Sequence, residues 1–455
     1  MAYQDSRREE DLLDESKNVS SQSQAKMKSS SKRRVVITGY GMITPLGRNT
    51  EDTFDRASQG MSGIDYITAF DTTHLPCRVG GQIKDEWIEE KDAQAERFYK
   101  FSSRGLRLMR KATQEAVKQA RLEELTHRGR IGFSLGFHGE SPEVQDVMFL
   151  HRFYDGQGTW DMASLLRSGG YSYLNFLRRK PDVATTILPK IFDCRGPNLT
   201  VASACAAGSQ AIGESYRLIQ EGKADIMIAG GSEATLNFMG FVGFVLIHAL
   251  VERYPTPQKA SRPFDRKRNG FVMSEGAGAV ILEELEHARA RRVPLLGEIL
   301  GYGASADAYR ITDTHPTGLG AVLAMRGALE DASLTPGDID YVNAHGTSTA
   351  QNDVTETRAI KEVFGQRAKA IPVSSNKSML GHTIAAAGAI ELILTLAGLN
   401  RSILLPTMNY EFPDPKCDLD YVPNEARTQE HRIAISNSFG FGGQNACLCV
   451  GKYDG

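Results

Sequence analysis

Short apolar runs alternate with longer amphipathic or alanine-rich stretches along the chain from residue 35 onward. The short runs have the length of buried strands, and glycine-rich turns follow several of them. Strands are predicted at residues 35–41, 131–136, 199–202, 224–229, 276–283, 296–303, 339–343, 371–374, 433–437 and 446–450. Helices are predicted at residues 100–120, 206–220, 319–332, 352–364 and 383–399. This alternation of strands and helices predicts an α/β layered fold.

The pattern of the first part of the chain returns in the second part. A strand, a turn of small residues and an alanine-rich helix begin at residue 200 and again at residue 372. No linker rich in proline, serine or charge separates the two parts. We therefore predict two similar halves, residues 33–290 and 291–455, packed into one body.

Residues 1–32 differ in composition from the rest of the chain. They are mainly serine, glutamine and charged residues, which bury too little apolar surface to offset chain entropy, so we predict a disordered tail. The N-terminus has no hydrophobic signal region. The longest apolar run, residues 384–399, contains Glu391 and is shorter than the roughly 18 residues of a membrane-spanning helix. We expect a cytoplasmic protein without a membrane partner.

Composition excludes several other classes of protein. Hydrophobic residues make up 41% of the chain and charged residues 24%, and the formal net charge is −2. This balance is typical of a globular protein and argues against a nucleic-acid partner. The six cysteines have no regular spacing, so neither a disulfide framework nor a zinc motif is predicted.

Three side chains with catalytic chemistry follow predicted strands. Cys205 lies among small residues between a strand and a helix, where the helix N-terminus should lower the pKa of its thiol. His345 ends another strand, and His382 precedes the last long helix. Ligands bind at this edge of open α/β sheets, and a cysteine with a histidine can perform covalent acyl transfer. Each residue alone is also compatible with a structural role.

A glycine-dense turn, residues 438–443, connects the last two predicted strands. It is compatible with a simple hairpin. It is also compatible with a loop whose backbone N–H groups line an oxyanion hole beside an aromatic gate. The turn alone favours the hairpin.

Together these segments resemble the condensing enzymes, specifically 3-oxoacyl-[acyl-carrier-protein] synthase II and the ketosynthases of bacterial polyketide systems. The resemblance extends from about residue 34 to the C-terminus. The matching motifs are residues 34–47, 202–208, 261–265, 270–278, 343–349, 376–382 and 437–443. It implies the thiolase fold, with two duplicated βαβαβαββ halves in a five-layer αβαβα arrangement.

The resemblance also implies roles for individual residues. Cys205 would be the acylated nucleophile, and His345 and His382 would complete a Cys-His-His triad. Lys377 would lie beside the triad with Glu391 as its partner. Phe441 would be the gate, and its N–H would form the oxyanion hole with that of Cys205. The remaining implied positions are Asp353 and Glu356 as supporting acids, and Thr312, Thr347 and Thr349 as contacts of the phosphopantetheine arm.

The implied reaction is a decarboxylative Claisen condensation. The acyl chain moves to Cys205, a malonyl thioester loses carbon dioxide, and two imidazoles stabilise the enolate that attacks the acyl group. The substrates are carried on the phosphopantetheine of an acyl carrier protein, and neither a metal nor an organic cofactor is implied. The predicted dimer, with a second copy or a paralogue, joins along residues 197–202. An acidic carrier would dock on a basic patch formed by Arg97, Lys100, Arg104, Arg178, Arg179, Lys180 and Arg253.

Two departures from the family pattern favour a specialised polyketide or polyene synthase over a fatty-acid enzyme. Residues 136–190 fit the family poorly, and Asp313 stands where the common fatty-acid enzymes carry a small hydroxyl residue. One alternative is a non-elongating chain-length factor, which usually lacks the reactive cysteine. Another is a degradative thiolase, with Cys447 or Cys449 as a second cysteine. A decarboxylase that does not condense is disfavoured because Cys205 is present.

Overall fold

Ten strands form one mixed sheet in the computed structural model, which describes residues 32–88, 98 and 100–455. The strands are β1 (Val35–Ile43), β2 (Ile131–Gly136), β3 (Asn198–Val201), β4 (Ile226–Glu233), β5 (Gly276–Glu284), β6 (Gly297–Ala306), β7 (Tyr341–Asn343), β8 (Val373–Ser374), β9 (Ile433–Phe439) and β10 (Gln444–Gly451). Their order is β8-β7-β9-β10-β6-β1-β5-β4-β2-β3. Two further two-stranded sheets pair Asp65–Tyr66 with Val79–Gly80 and Ile403–Leu404 with Arg427–Thr428. Residues 1–31 of the predicted tail, and Arg97, lie outside the described residues.

The two ends of the sheet repeat one topology. Counted within each set of five strands, the order is 3-2-4-5-1 on both sides, and β1 pairs antiparallel with β6 where the sets meet. In each set the fifth strand is antiparallel to both of its neighbours. This repeat supports the predicted duplication. The boundary placed after residue 290 falls at the end of a short helix, Leu285–Arg291, and stays a prediction.

Helices cover the sheet in layers. They are α1 (Thr50–Ser58), α2 (Arg104–Gln119), α3 (Val144–His151), α4 (Met162–Ser168), α5 (Tyr173–Leu177), α6 (Val183–Ile191), α7 (Ala207–Gln220), α8 (Phe238–Leu246), α9 (Leu285–Arg291), α10 (Leu319–Ala332), α11 (Ala350–Phe364), α12 (Lys377–Leu380) and α13 (Ala387–Arg401). Helices α7 and α13 pack on each other between the two sets of strands, while α2 covers the first set and α10 the second. This is the five-layer thiolase arrangement.

The two central helices approach closely because small residues face each other. A methyl group added at Gly388 would come within 2.0 Å of the Ser209 hydroxyl oxygen. Helix α13 is apolar on all sides, as expected for a helix that contacts protein in every direction. With its preceding turn it forms an apolar stretch of 18 residues, Ile384–Arg401, long enough by length and composition to cross a membrane. The expectation that this run would be too short was wrong, but nearly all of the stretch is buried in the protein, as in a core helix.

Element boundaries follow local capping. The predicted helix at residues 100–120 begins only at Arg104, because the Ser103 side chain accepts the N–H of Leu106 and caps it. Helix α11 begins two residues earlier than predicted, where Thr349 caps it. Within residues 136–190, which the sequence analysis expected to depart from the family pattern, none of the residues of α3, α4 or α5 is buried.

Candidate active site

Cys205 lies in a tight elbow between β3 and α7. A 3₁₀ turn, Ala204–Ala206, precedes the helix, and Ala204 adopts a left-handed backbone conformation with φ of +47°. The second half has the same arrangement before α13, where Ile384 has φ of +41° in the turn Ile384–Ala386. Ala385 therefore occupies the position that corresponds to Cys205. The duplicated fold has two elbows, and one of them carries the thiol.

The fold brings the three predicted catalytic side chains together. Nε2 of His382 lies 3.0 Å from Sγ of Cys205. The ring of His345 packs edge-on against that of His382, with 5.2 Å between centroids. Donor atoms of the three residues lie within 4.8 Å of one another, and all three side chains are buried. Cys205 precedes both histidines by 140 positions or more in the sequence, and the fold places it in one cluster with them.

A backbone hydrogen bond fixes the tautomer of His382. The N–H of Ile384 donates to Nδ1 of His382 at 3.3 Å, so a neutral imidazole carries its proton on Nε2, facing Cys205. Burial, and then the charge of Lys377, hold the pKa of His382 well below its ordinary value. The same causes, with His382 as a third, lower the pKa of His345. Both rings are therefore neutral near pH 7 and each offers an N–H.

The thiol of Cys205 does not have the lowered pKa that its place at a helix N-terminus suggested. Burial raises the pKa of Cys205 to about 12. The charge of Lys377 and a hydrogen bond from the backbone N–H of Phe441 lower it only in part. The expectation was wrong because removal of the thiolate from water outweighs these favourable contacts.

Lys377 and Glu391 form a buried ion pair beside the histidines. Nζ of Lys377 contacts Oε1 of Glu391, and Oε2 of Glu391 has no hydrogen-bond partner within the described residues. Burial raises the pKa of Glu391 to about 7, against the lowering effect of Lys377. The pairing predicted for these two residues agrees with this contact.

Asp353 and Glu356 shape the loop that carries His345. Glu356 accepts the backbone N–H groups of His345 and Gly346, each at 2.7 Å. Asp353 accepts the N–H of Ser348, in the same loop, at 3.2 Å and that of Phe264 at 2.7 Å. Burial raises the pKa of Glu356 to about 7 and also raises that of Asp353. These contacts go to the backbone, so both acids position the loop without touching the thiol.

Phe441 lies in the turn between β9 and β10, so the glycine-dense segment is both a hairpin and part of the site. Phe441 lines a cavity of about 390 Å³, which we call the entrance cavity. Thr312, Asp313 and Thr349 line this cavity together with Phe441. Thr347 is buried next to it, with its hydroxyl 3.0 Å from that of Thr349.

Four residues of the predicted basic docking patch have polar partners within the chain, and the docking role of the patch stays a prediction. Arg104 donates to both carboxylate oxygens of Glu275 and pairs with Asp85. Arg179 pairs with Asp146, and Lys180 lies 3.4 Å from Asp182. Arg178 donates to the backbone oxygen of Leu174 and to Asn175. Of the described candidates, Lys100 and Arg253 remain exposed.

One buried acid at the site was missed by the sequence analysis. Glu233 is the last residue of β4, and its carboxylate accepts the N–H of Ala385 in the second elbow at 3.4 Å. His138 lies 3.3 Å from the same carboxylate oxygen. A carboxylate at the end of a predicted sheet strand was a signal that could have been used.

Comparison with known proteins agrees with this geometry. Models of the beta-ketoacyl synthase N-terminal and C-terminal domains match residues 32–288 and 296–411. The chain belongs to the beta-ketoacyl synthase family. It is 41% identical to 3-oxoacyl-[acyl-carrier-protein] synthase 2 of Synechocystis sp. over 93% of this chain and 99% of the relative. It is 39% identical to the protein of the same name from Staphylococcus aureus over 93% of this chain and 100% of the relative.

Solved beta-ketoacyl synthases and ketosynthases share the fold over their whole length. A beta-ketoacyl synthase from Burkholderia phymatum has a TM-score of 0.82 at 32% identity, covering 93% of this chain and 100% of that chain. The ishigamide ketosynthase/chain length factor has a TM-score of 0.80 at 31% identity, with the same coverage. A ketosynthase complex with its type II PKS acyl-carrier protein has a TM-score of 0.80 at 30% identity, again with that coverage.

This beta-ketoacyl synthase site offers one nucleophile and two neutral N–H donors. The sulfur and the two imidazoles are also donors that Zn²⁺ accepts, at a spacing that one ion could bridge. The absence of a resident metal, expected from the sequence, stays a prediction. Cys447 and Cys449 lie on β10 in a separate core cluster from Cys205, so they do not supply a second thiol to this cluster.

Proposed function

We propose that this chain is a 3-oxoacyl-[acyl-carrier-protein] synthase that performs decarboxylative Claisen condensation on an acyl group held by Cys205. The observation that carries the proposal is the position of His382, whose Nε2 lies 3.0 Å from the sulfur while its Nδ1 accepts the N–H of Ile384. His345 adds a second neutral imidazole within the same cluster. Reaction with a malonyl thioester uses this pair of donors.

The first half-reaction moves the acyl chain from its carrier to Cys205. The sulfur attacks the thioester carbon, and the tetrahedral oxyanion accepts hydrogen bonds from the N–H groups of Cys205 and Phe441. The carbon–sulfur bond to the carrier then breaks. The proton of the Cys205 thiol ends on the departing carrier thiol, so that charge is balanced. With the pKa of Cys205 at about 12, the N–H groups of His382 and Phe441 stabilise the sulfur as it loses that proton.

The second half-reaction forms the carbon–carbon bond. The carbon–carbon bond to the malonyl carboxylate breaks, carbon dioxide leaves, and the electron pair delocalises onto the thioester oxygen as an enolate. His345 and His382 each donate an N–H group to that oxygen. A neutral imidazole can donate this hydrogen bond, so neither ring needs to be charged. The enolate carbon attacks the acyl carbon, the carbon–sulfur bond to Cys205 breaks, and the departing thiolate takes a proton from water.

The entrance cavity fits a carrier-bound arm. Thr312 and Thr349 offer hydroxyls to the amides and hydroxyl of phosphopantetheine, and Phe441 lines the same cavity. The thiol and the imidazoles supply all the groups that the reaction uses, so we propose no further cofactor.

We propose that the acyl carrier protein docks on an apolar rim around the entrance cavity. Leu246, Ile247 and Ile311 are 72%, 49% and 86% exposed, and Ile247 also lines the cavity. Large exposed apolar residues at one opening are typical of a protein contact. If the phosphopantetheine arm reaches Cys205 through this cavity, the carrier protein that bears the arm must contact the rim. The basic patch that the sequence suggested stays a second prediction for the same carrier.

The proposed dimer forms along the open edge of β3. This strand ends the sheet and pairs with β2 on one side, and Asn198 and Leu199 are exposed. An edge strand with free backbone groups is a ready partner for another strand. A second copy and a ketosynthase-like paralogue both fit this edge.

The pathway is proposed to be specialised, with an acyl chain that differs from that of the fatty-acid relatives. The exposed helices α3 to α5 and the carboxylate of Asp313 at the entrance cavity support this assignment. The chain-length-factor alternative is disfavoured by the contact of Cys205 with His382. The thiolase alternative is disfavoured by the position of Cys447 and Cys449 on β10.

The test is condensation of an acyl-carrier with malonyl-carrier by the purified protein, followed by mass spectrometry of the product. The parent should form a 3-oxoacyl-carrier and carry the acyl group on Cys205. Cys205→Ala should form none, whereas Cys449→Ala, as a matched control, should form it at the parental rate. Product formation by Cys205→Ala would rule out the proposed function.

A further inference from the structure

The carboxylate of Glu233 is buried near the triad and contacts several polar groups. Its Oε1 accepts the N–H of Ala234 at 3.1 Å and the hydroxyl of Thr235 at 2.5 Å. Its Oε2 accepts the N–H of Ala385 at 3.4 Å and lies 3.3 Å from Nδ1 of His138. The residue therefore links the end of β4 to the elbow of the other half.

That elbow has an unfavourable backbone conformation. Ile384 is β-branched, and its φ of +41° lies in the left-handed region that such residues avoid. A strained residue persists only where its surroundings hold it. The Ala385 N–H bond to Glu233 is such a restraint, since it lies one residue after the strained position.

The same elbow orients His382. The N–H of Ile384, which donates to Nδ1 of His382, can keep that direction only while the turn keeps its left-handed conformation. If the turn relaxed, Nδ1 would lose its donor and the proton could move from Nε2 to Nδ1. His382 would then present an unprotonated nitrogen to Cys205.

We propose that Glu233 is a positioning residue, whose carboxylate holds the Ile384–Ala385 turn so that the proton of His382 stays on Nε2. This rests on the proposed function, in which that N–H stabilises the enolate. Glu233 does not touch the reacting atoms, and it acts through Ala385 and Ile384. The proposal predicts that the length of the side chain at this position matters more than its charge.

Charge and reach can be separated by two substitutions. Glu233→Asp keeps the negative charge but is one methylene too short to reach the Ala385 N–H. Glu233→Gln keeps the length and one acceptor oxygen but removes the charge. The Glu233 carboxylate raises the pKa of Cys205, as Glu391 does, while Lys377 lowers it. Glu233→Gln should therefore shift the pH profile of Cys205 alkylation to lower pH, and Glu233→Asp should not.

The experiment combines ¹⁵N-histidine NMR, malonyl-carrier decarboxylation and iodoacetamide alkylation on the full chain. In the parent, His382 should show a protonated Nε2. In Glu233→Asp the Nδ1-protonated tautomer should predominate, and decarboxylation should fall about tenfold, because only the remaining Nε2-protonated fraction donates to the enolate oxygen. Glu233→Gln should keep the parental tautomer and more than a third of the parental rate, because its amide oxygen still reaches Ala385. The control is Glu140→Gln, whose carboxylate accepts the N–H of Gly105 outside the elbow.

Several results would overturn the proposal. One is a Glu233→Asp protein that keeps both the parental tautomer and the parental rate. Another is an equal loss of activity in both variants with the His382 tautomer unchanged, which would make the effect electrostatic. Failure of the proposed function can be distinguished from failure of the role of Glu233. In the first case the parent would form no 3-oxoacyl product, but the NMR comparison of parent and variants would still report the His382 tautomer.

Discussion

Lys377 and Glu391 pair with each other while each side chain is only 2% exposed, and the pair lies beside two neutral imidazoles. The ammonium of Lys377 lowers the pKa of Cys205, of His345 and of His382. A buried cation here therefore favours the thiolate and keeps protons off the histidines. Glu391 holds that cation in place.

Removal of one partner of this pair should destabilise the protein strongly. Glu391→Gln leaves the ammonium of Lys377 buried without a counter-charge, and the free energy of unfolding should fall by about 3–5 kcal/mol. Urea unfolding followed by circular dichroism measures the change. Arg326→Met breaks an exposed pair with Glu362 and is the matched control, with an expected loss of about 0–1 kcal/mol. Equal losses in the two variants would contradict the role of burial.

Glu356 should make the protein less stable as the pH rises towards neutrality. Its pKa is raised from 4.5 to about 7 by folding, so its contribution is fully present below pH 4.5 and is lost as the pH rises through 7. Glu356→Gln has no such proton to lose. The unfolding free energy of the variant minus that of the parent should therefore be more positive at pH 8 than at pH 5. A difference that stays constant with pH would show that the folded pKa is not raised.

The two histidines should be needed for decarboxylation more than for acylation. His345→Ala and His382→Ala each remove one donor to the enolate oxygen, and malonyl-carrier decarboxylation should fall about 10²–10³-fold. Acyl transfer to Cys205, measured by mass spectrometry of the intact protein, should fall less in His345→Ala, because only His382 contacts the sulfur. A His345→Ala protein that decarboxylates normally would contradict the two-donor enolate.

Docking of the carrier should depend on apolar contacts. Leu246→Ser with Ile311→Ser removes two exposed apolar side chains from the rim, and the KM for acyl-carrier should rise about tenfold, equivalent to about 1.4 kcal/mol. The KM for a small acyl thioester without a carrier should not change. Lys100→Ala with Arg253→Ala tests the basic alternative, and a larger effect from this pair, abolished by salt, would favour electrostatic docking.

The α/β class and most of the elements could be predicted from the residue pattern alone. The strand at residues 131–136 and the helix at residues 319–332 lie where the pattern predicted them. Burial of a strand or of one helix face requires apolar residues at a characteristic spacing, and that spacing is visible in the sequence. The motifs around Cys205, His345 and His382 also identified the family. The matches of both domain models and the relatives confirm that identification.

The charge state of the site and the surfaces around it follow from the packing of distant segments of the chain. The raised pKa of Cys205 depends on burial by distant segments, which no local pattern encodes. The use of Arg104 in an ion pair with Glu275 depends on two residues 171 positions apart. The link from Glu233 to Ala385 joins the two halves of the duplication, so it exists only after they pack. Sequence specifies which residues are available, whereas desolvation and long-range pairing are fixed by the folded arrangement.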